Sequence, residues 1–169
     1  MTQDLIARGY HGHPHDTAPQ GTVALDYEGR FLRRRVLPLD DGRRLLVDLP
    51  KTTSLDHGGV LLLEGGGEIA ILARPEPLLA VTGADLPRIA WHIGNRHTPC
   101  QIEPARLLIR RDHVIRDMLE RIGAEVTEIT APFTPEGGAY GHGRTHGHDH
   151  GHTHDHGHAH GHDTEAAPE

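Results

Sequence analysis

Between residues 22 and 73 the apolar positions come in short runs broken by glycine. Val23 and Leu25 are followed by Arg44 to Leu49, Val60 to Leu63 and Glu68 to Ala73, with Asp41-Gly42, Gly58-Gly59 and Gly65-Gly66-Gly67 between them. Runs of that length ended by turn residues predict strands, so residues 21–75 read as a small antiparallel β domain. The triple glycine is a hairpin turn rather than a phosphate loop, because no Lys-Ser/Thr pair follows and the next element is a strand. Pro75-Glu76-Pro77 stiffens the backbone, removes two ladder donors and marks a boundary. Beyond it, residues 78–82 predict a strand. Residues 84–95 predict a helix, with Leu86, Ile89, Ala90 and Ile93 at helical spacing. Two short strands flank Pro104, a helix covers 112–122, and a last strand covers 125–130. In the second helix Val114, Ile115, Met118, Leu119 and Ile122 form one apolar stripe, with Asp112 as its cap. The order β-α-β-β-α-β over residues 76–140 predicts a ferredoxin-like unit, and the chain as a whole an α+β protein.

Neither end carries such a pattern. Residues 1–20 hold only Leu5 and Ile6 as apolar neighbours, and His11, His13 and His15 stand among Gly, Pro and Asp. This reads as a flexible arm, on which an ordered metal site would cost chain entropy. Residues 141–169 alternate His142, His146, His148, His150, His152, His154, His156, His158, His160 and His162 with Gly, Asp, Thr and Ala. Such a segment cannot bury a core and is expected to be disordered without metal. Imidazole suits nickel, copper and zinc, and Asp149, Asp155 and Asp163 can add oxygen ligands.

Composition changes the picture in three ways. Of 169 residues 36% are hydrophobic and only 4% aromatic, so part of the chain stays outside any core and the cores are built from Leu, Ile, Val and Ala. The formal charge of −7 argues against nucleic acid. Arg33-Arg34-Arg35, with Arg30, Arg43 and Arg44, forms a basic cluster without the aromatics that stack bases, which suits an acidic protein surface better than RNA. The single Cys100, the plain start Met1-Thr2-Gln3-Asp4 and the lack of a long apolar run point to a cytoplasmic protein that does not enter the membrane.

The chemistry gathers at residues 91–99. Gly94-Asn95 supplies the residues that most easily take positive φ at a helix end, which puts His92 on the last turn and His97 on the exit, held by Thr98-Pro99. On spacing alone, the plainer reading is a solvated His92 and a His97 cation favoured by the helix dipole. His113 opens the second helix and points away from its stripe, as an accessory ligand. Cys100 reads as a small buried hydrophobe rather than a soft ligand. No catalytic triad wording and no H-E-x-x-H appears, so the chain does not read as an enzyme.

Read as a whole, His92-x-Gly94-Asn95-Arg96-His97-x-Pro99 followed by Gln101-Ile102 resembles the signature of UreE, the nickel-delivering urease accessory family. A second block, residues 112–119 followed by Gly123 and the run from Pro132 to Tyr140, resembles the rest of that family's C-terminal domain. The likeness covers roughly residues 18–140, and the histidine-rich end fits the family's variable tail. It implies a metallochaperone that captures Ni²⁺ and delivers it for assembly of the urease active site. It also implies a partner-docking N-terminal domain, and transfer through a GTPase accessory protein to the urease apoprotein complex. One chain offers too few ordered ligands, and a homodimer would bring two copies of His97 together at its axis; the resemblance implies this arrangement, with the tails adding nitrogen ligands. The affinity order of divalent ions favours Cu²⁺ at almost any imidazole site and admits Zn²⁺ as well, so nickel rests on the resemblance. The alternative is a passive nickel, zinc or copper buffer.

Overall fold

In the computed structural model, which describes residues 5–15 and 18–137, the glycine-punctuated runs become a six-stranded sheet. Its strands are β1 (Leu5–His11), β2 (Thr22–Leu25), β3 (Phe31–Pro38), β4 (Arg44–Ser54), β5 (Val60–Leu63) and β6 (Glu68–Ala73), in the spatial order β2-β6-β5-β1-β4-β3. Along β4, Leu45, Val47 and Leu49 are buried, and their period of two turns one face onto a core with Ala7, Leu37, Leu61, Ile69 and Ile71. The turns fall at the glycines: Gly42, Gly66 and Gly67 all have φ near +90°, which only glycine adopts without strain.

Two expectations are corrected here. Residues 5–11 are not a flexible arm but a strand inside the sheet, parallel to β4 and antiparallel to β5. Leu5, Ala7 and Tyr10 carry too short a pattern to announce a strand, and the ladder partners that make it one lie about 40 to 60 residues away. The sheet is also mixed, since β2 pairs in parallel with β6 as well.

The second unit comprises β7 (Glu76–Thr82), α1 (Leu86–Gly94), β8 (Gln101–Ile102), β9 (Leu107–Arg110), α2 (His113–Arg121) and β10 (Glu125–Ala131). Its sheet runs β10-β7-β9-β8 with every pairing antiparallel, the fourth-first-third-second order of a ferredoxin-like unit. Leu79, Val81, Leu107 and Ile109 face the two helices and meet Ile89, Ile93, Ile115 and Leu119. Leu78, Ala80 and Leu108 face the other way and are covered by Phe133 and Tyr27. A sheet buried on both faces explains why residues 78–81 read as a continuous apolar run. Val114 departs from the expected stripe: it is 55% exposed, one position round the helix from buried Ile115.

The two sheets meet around Arg30, which is 4% exposed and donates to the carbonyls of Leu55, at 3.3 Å, and Phe133. Its guanidinium lies 5.8 Å from the centre of the Tyr27 ring, whose backbone N–H donates to buried Glu76 at 2.7 Å. Arg30 therefore does not belong to the surface basic cluster. Arg33, Arg34 and Arg35 do, exposed on the edge strand β3, where cations discourage pairing with another sheet.

Candidate metal centre

Asp85 caps α1, its carboxylate accepting from the Arg88 backbone N–H at 3.1 Å, and Pro87 sits in the first turn where its missing N–H costs nothing. The far end closes tightly. The N–H of His97 donates to Gly94 at 2.9 Å and that of Thr98 to Ile93 at 3.5 Å, the paired bonds of a Schellman closure. In that closure one residue must be left-handed. It is not Gly94, which remains helical, nor Asn95, at φ −64°, but His97 itself, at φ 56°. His97 is the one non-glycine residue with positive φ among those described. The exit is thus rigid, as expected, but the strain falls on the histidine and not on the residues that tolerate it best.

His97 is exposed on this turn, while His92 is partly buried on the last turn of α1 and packs its ring edge-on to Trp91, with centroids 5.1 Å apart. Trp91 is 63% exposed. His113 is exposed at the start of α2, whose cap Asp112 accepts from the N–H groups of Val114 and Ile115 at 2.8 and 2.9 Å. Arg96 from the α1 exit and His113 line the same open hollow of about 530 Å³, together with Asp117 and Arg121. Among the described residues no three His, Cys, Asp or Glu side chains converge as a finished metal centre. Cys100 packs against the helix-facing core, and burial pushes its thiol up to about 11, so at neutral pH it is a protonated, poor ligand.

After β10 the chain turns back along β8. Gln101 Oε1 accepts from the Thr134 N–H at 2.8 Å, and Cys100 O accepts from the Glu136 N–H at 2.9 Å. The described residues therefore end, at 137, beside the segment that carries His97. His142, His146 and the eight tail histidines that follow lie outside the described residues.

Family models of the urease accessory protein UreE match this chain twice, the N-terminal domain over residues 5–74 and the C-terminal domain over residues 76–162. The chain belongs to the UreE family. Urease accessory proteins UreE from Ruegeria sp. (strain TM1040), Ruegeria pomeroyi and Rhodobacter capsulatus are 72%, 63% and 58% identical to it. The matches run over 141, 123 and 123 residues, or 83%, 73% and 73% of this chain and 80%, 83% and 78% of theirs. These relatives are named as accessory to urease and not as urease. No helix of the described UreE fold is long and apolar enough to cross a membrane.

Two features escaped the sequence reading. Nothing in the wording around Trp91 announced that its ring stands in solvent. Glu68, the first residue of β6, is 4% exposed and binds His15, a pairing across 53 positions that no local pattern signals.

Proposed function

We propose that this chain is a cytoplasmic nickel metallochaperone that acts as a homodimer. In this reading the tail histidines collect Ni²⁺ as cargo, and His97 from each protomer presents it at the two-fold axis, with His92 and His113 as accessory ligands. The ion then passes through a GTPase accessory protein to the urease apoprotein. Arg33 to Arg35 provide a face for an acidic protein partner, and exposed Trp91 provides apolar surface beside the exit for a second copy.

The observation that carries the reading is the tether of Glu136 to Cys100, three residues after His97. From Glu136 the six residues to His142 span at most about 20 Å. The first tail imidazole is therefore within reach of the exit in the same chain. A coordination shell completed by a tail ligand and a second protomer stays exchangeable, which delivery requires and a closed structural site prevents.

The test is a calorimetric Ni²⁺ titration of the chain ended at Tyr140, with and without His97→Ala, together with its mass in solution. One tight ion per two chains, abolished by the substitution, is the expected result. If the shortened chain binds no nickel, the shared His97 site is wrong and the tail holds the metal alone. Imidazole ligands must be deprotonated, so capture weakens as pH falls through about 6.5. An affinity unchanged between about pH 7.5 and pH 5.5 would refute imidazole capture.

A further inference from the structure

The end of β1 places three imidazoles together on the other sheet. Past His11 the chain runs through Gly12-His13-Pro14-His15 to Glu68 at the start of β6. The backbone bends at Gly12 and His13, and that bend gathers the three rings on one side. The ring centroids are 4.4 Å apart for His11 and His15, 5.9 Å for His11 and His13, and 6.4 Å for His13 and His15. Three imidazoles bound to one ion at a metal–nitrogen distance near 2.1 Å have ring centres roughly 5 Å apart. The observed spacings bracket that value.

Glu68 supplies the independent observation. Its side chain is 5% exposed, and among the described residues its one ion-pair partner is His15, whose ring is 48% exposed. Glu68 also accepts the backbone N–H of His15, at 3.3 and 3.4 Å to its two oxygens. A buried carboxylate is costly unless a positive charge faces it. With Nδ1–H of His15 donating to Glu68, Nε2 keeps its lone pair, which is the arrangement in which a carboxylate orients a metal-bound histidine.

We propose that His11, His13 and His15 form a second site for a divalent transition-metal cation of the Zn²⁺, Ni²⁺ or Cu²⁺ class, with Glu68 as the residue that positions His15. The rings are tilted 42° to 54° to one another and do not yet converge. All three histidines are exposed, and exposed rings reorient within nanoseconds, so closure on an ion needs side-chain rotation alone. The site is on the first sheet and does not depend on His97 or on the tail.

The test is diethyl pyrocarbonate labelling of the full-length protein with increasing Zn²⁺, read by mass spectrometry after trypsin. Cleavage after Arg8 and Arg30 isolates His11, His13 and His15 in one peptide, cleavage after Arg96 and Arg106 isolates His97, and cleavage after Arg144 releases the tail from His146 onward. The metal reading of His97 is therefore scored separately. At free Zn²⁺ ten times the Kd, labelling of residues 9–30 should fall about tenfold. His13→Ala, at an exposed position, should abolish the protection of His11 and His15. Glu68→Gln should raise the zinc needed for half-protection by about tenfold or more. Unprotected histidines in residues 9–30 at zinc that fully protects the tail peptide would overturn the site. Protection that survives His13→Ala would overturn the three-histidine set, and a midpoint unmoved by Glu68→Gln would overturn the role of Glu68.

Discussion

Replacing His97 by glycine rather than by alanine should leave the metal-free protein more stable, while either change removes the proposed imidazole ligand at the α1 exit. At φ 56° the Cβ of an L-residue is crowded by the following carbonyl, at roughly 1–2 kcal/mol. Glycine escapes that strain but loses more backbone freedom on folding, which takes back about 0.4–1 kcal/mol. The net gain over alanine is about 0.5–1 kcal/mol, which at about 2–4 °C per kcal/mol for a chain of this length is about 1–4 °C in Tm. His97→Ala is the control, because it removes the ring but keeps the Cβ in the left-handed region. Urea unfolding of the intact chain in the presence of a chelator should therefore place the glycine variant above the alanine variant. Both variants should lose nickel at the exit equally. A glycine variant no more stable than the alanine variant would refute the reasoning, because the turn would then relax without help and the Schellman closure would not be holding His97 in place. The expected pattern marks His97 as a residue kept against its conformational preference for the sake of its ring.

Asp112→Ala removes the acceptor for two N–H groups at the start of α2 and should cost about 1 kcal/mol in urea unfolding, with the Asp112→Asn variant close to native. Arg30→Met leaves the carbonyls of Leu55 and Phe133 without their donor; a loss of about 3 kcal/mol is expected, with faster amide exchange around Tyr27 and Phe133, where the two sheets meet. Burial raises the Cys100 thiol from 9.0 to about 11, so the folded state holds that proton more tightly than the unfolded chain. Its contribution to stability is present below pH 9 and lost as pH rises toward 11, a slope that Cys100→Ala should reduce in urea midpoints across that window. For the same reason iodoacetamide at neutral pH should modify Cys100 far more slowly in the native protein than in urea.

What could be read along the chain is what neighbouring residues decide. The glycine turns at Gly42 and Gly66-Gly67, the cap at Asp112, the helical spacing of Ile89 and Ile93, and the order of strands and helices in the second unit all depend on interactions within a few positions. The ferredoxin-like order followed from that sequence of elements, because short connections leave few ways to fold it. The motif around His92 and His97 was equally legible, since its residues are contiguous.

Tertiary structure decided everything that depends on a distant partner. Leu5–His11 is a strand because β4 and β5 stand on either side of it, and its own residues do not say so. Arg30 sits in a run of arginines but is drawn inward by carbonyls at Leu55 and Phe133, the second of them 103 positions away. Val114 lies on the apolar stripe by spacing, yet it stays 55% exposed while Ile115, one position round the helix, is buried. The left-handed turn fell on His97 because hydrogen bonds from His97 and Thr98 fix where the helix closes, whatever residue occupies the site. His11, His13 and His15 could be seen as a metal-binding word, but only the fold brought Glu68 to His15 and the rings within 6.4 Å of each other. Local preference is a matter of about 1 kcal/mol per residue, and burial and pairing across the chain outweigh it wherever the two disagree.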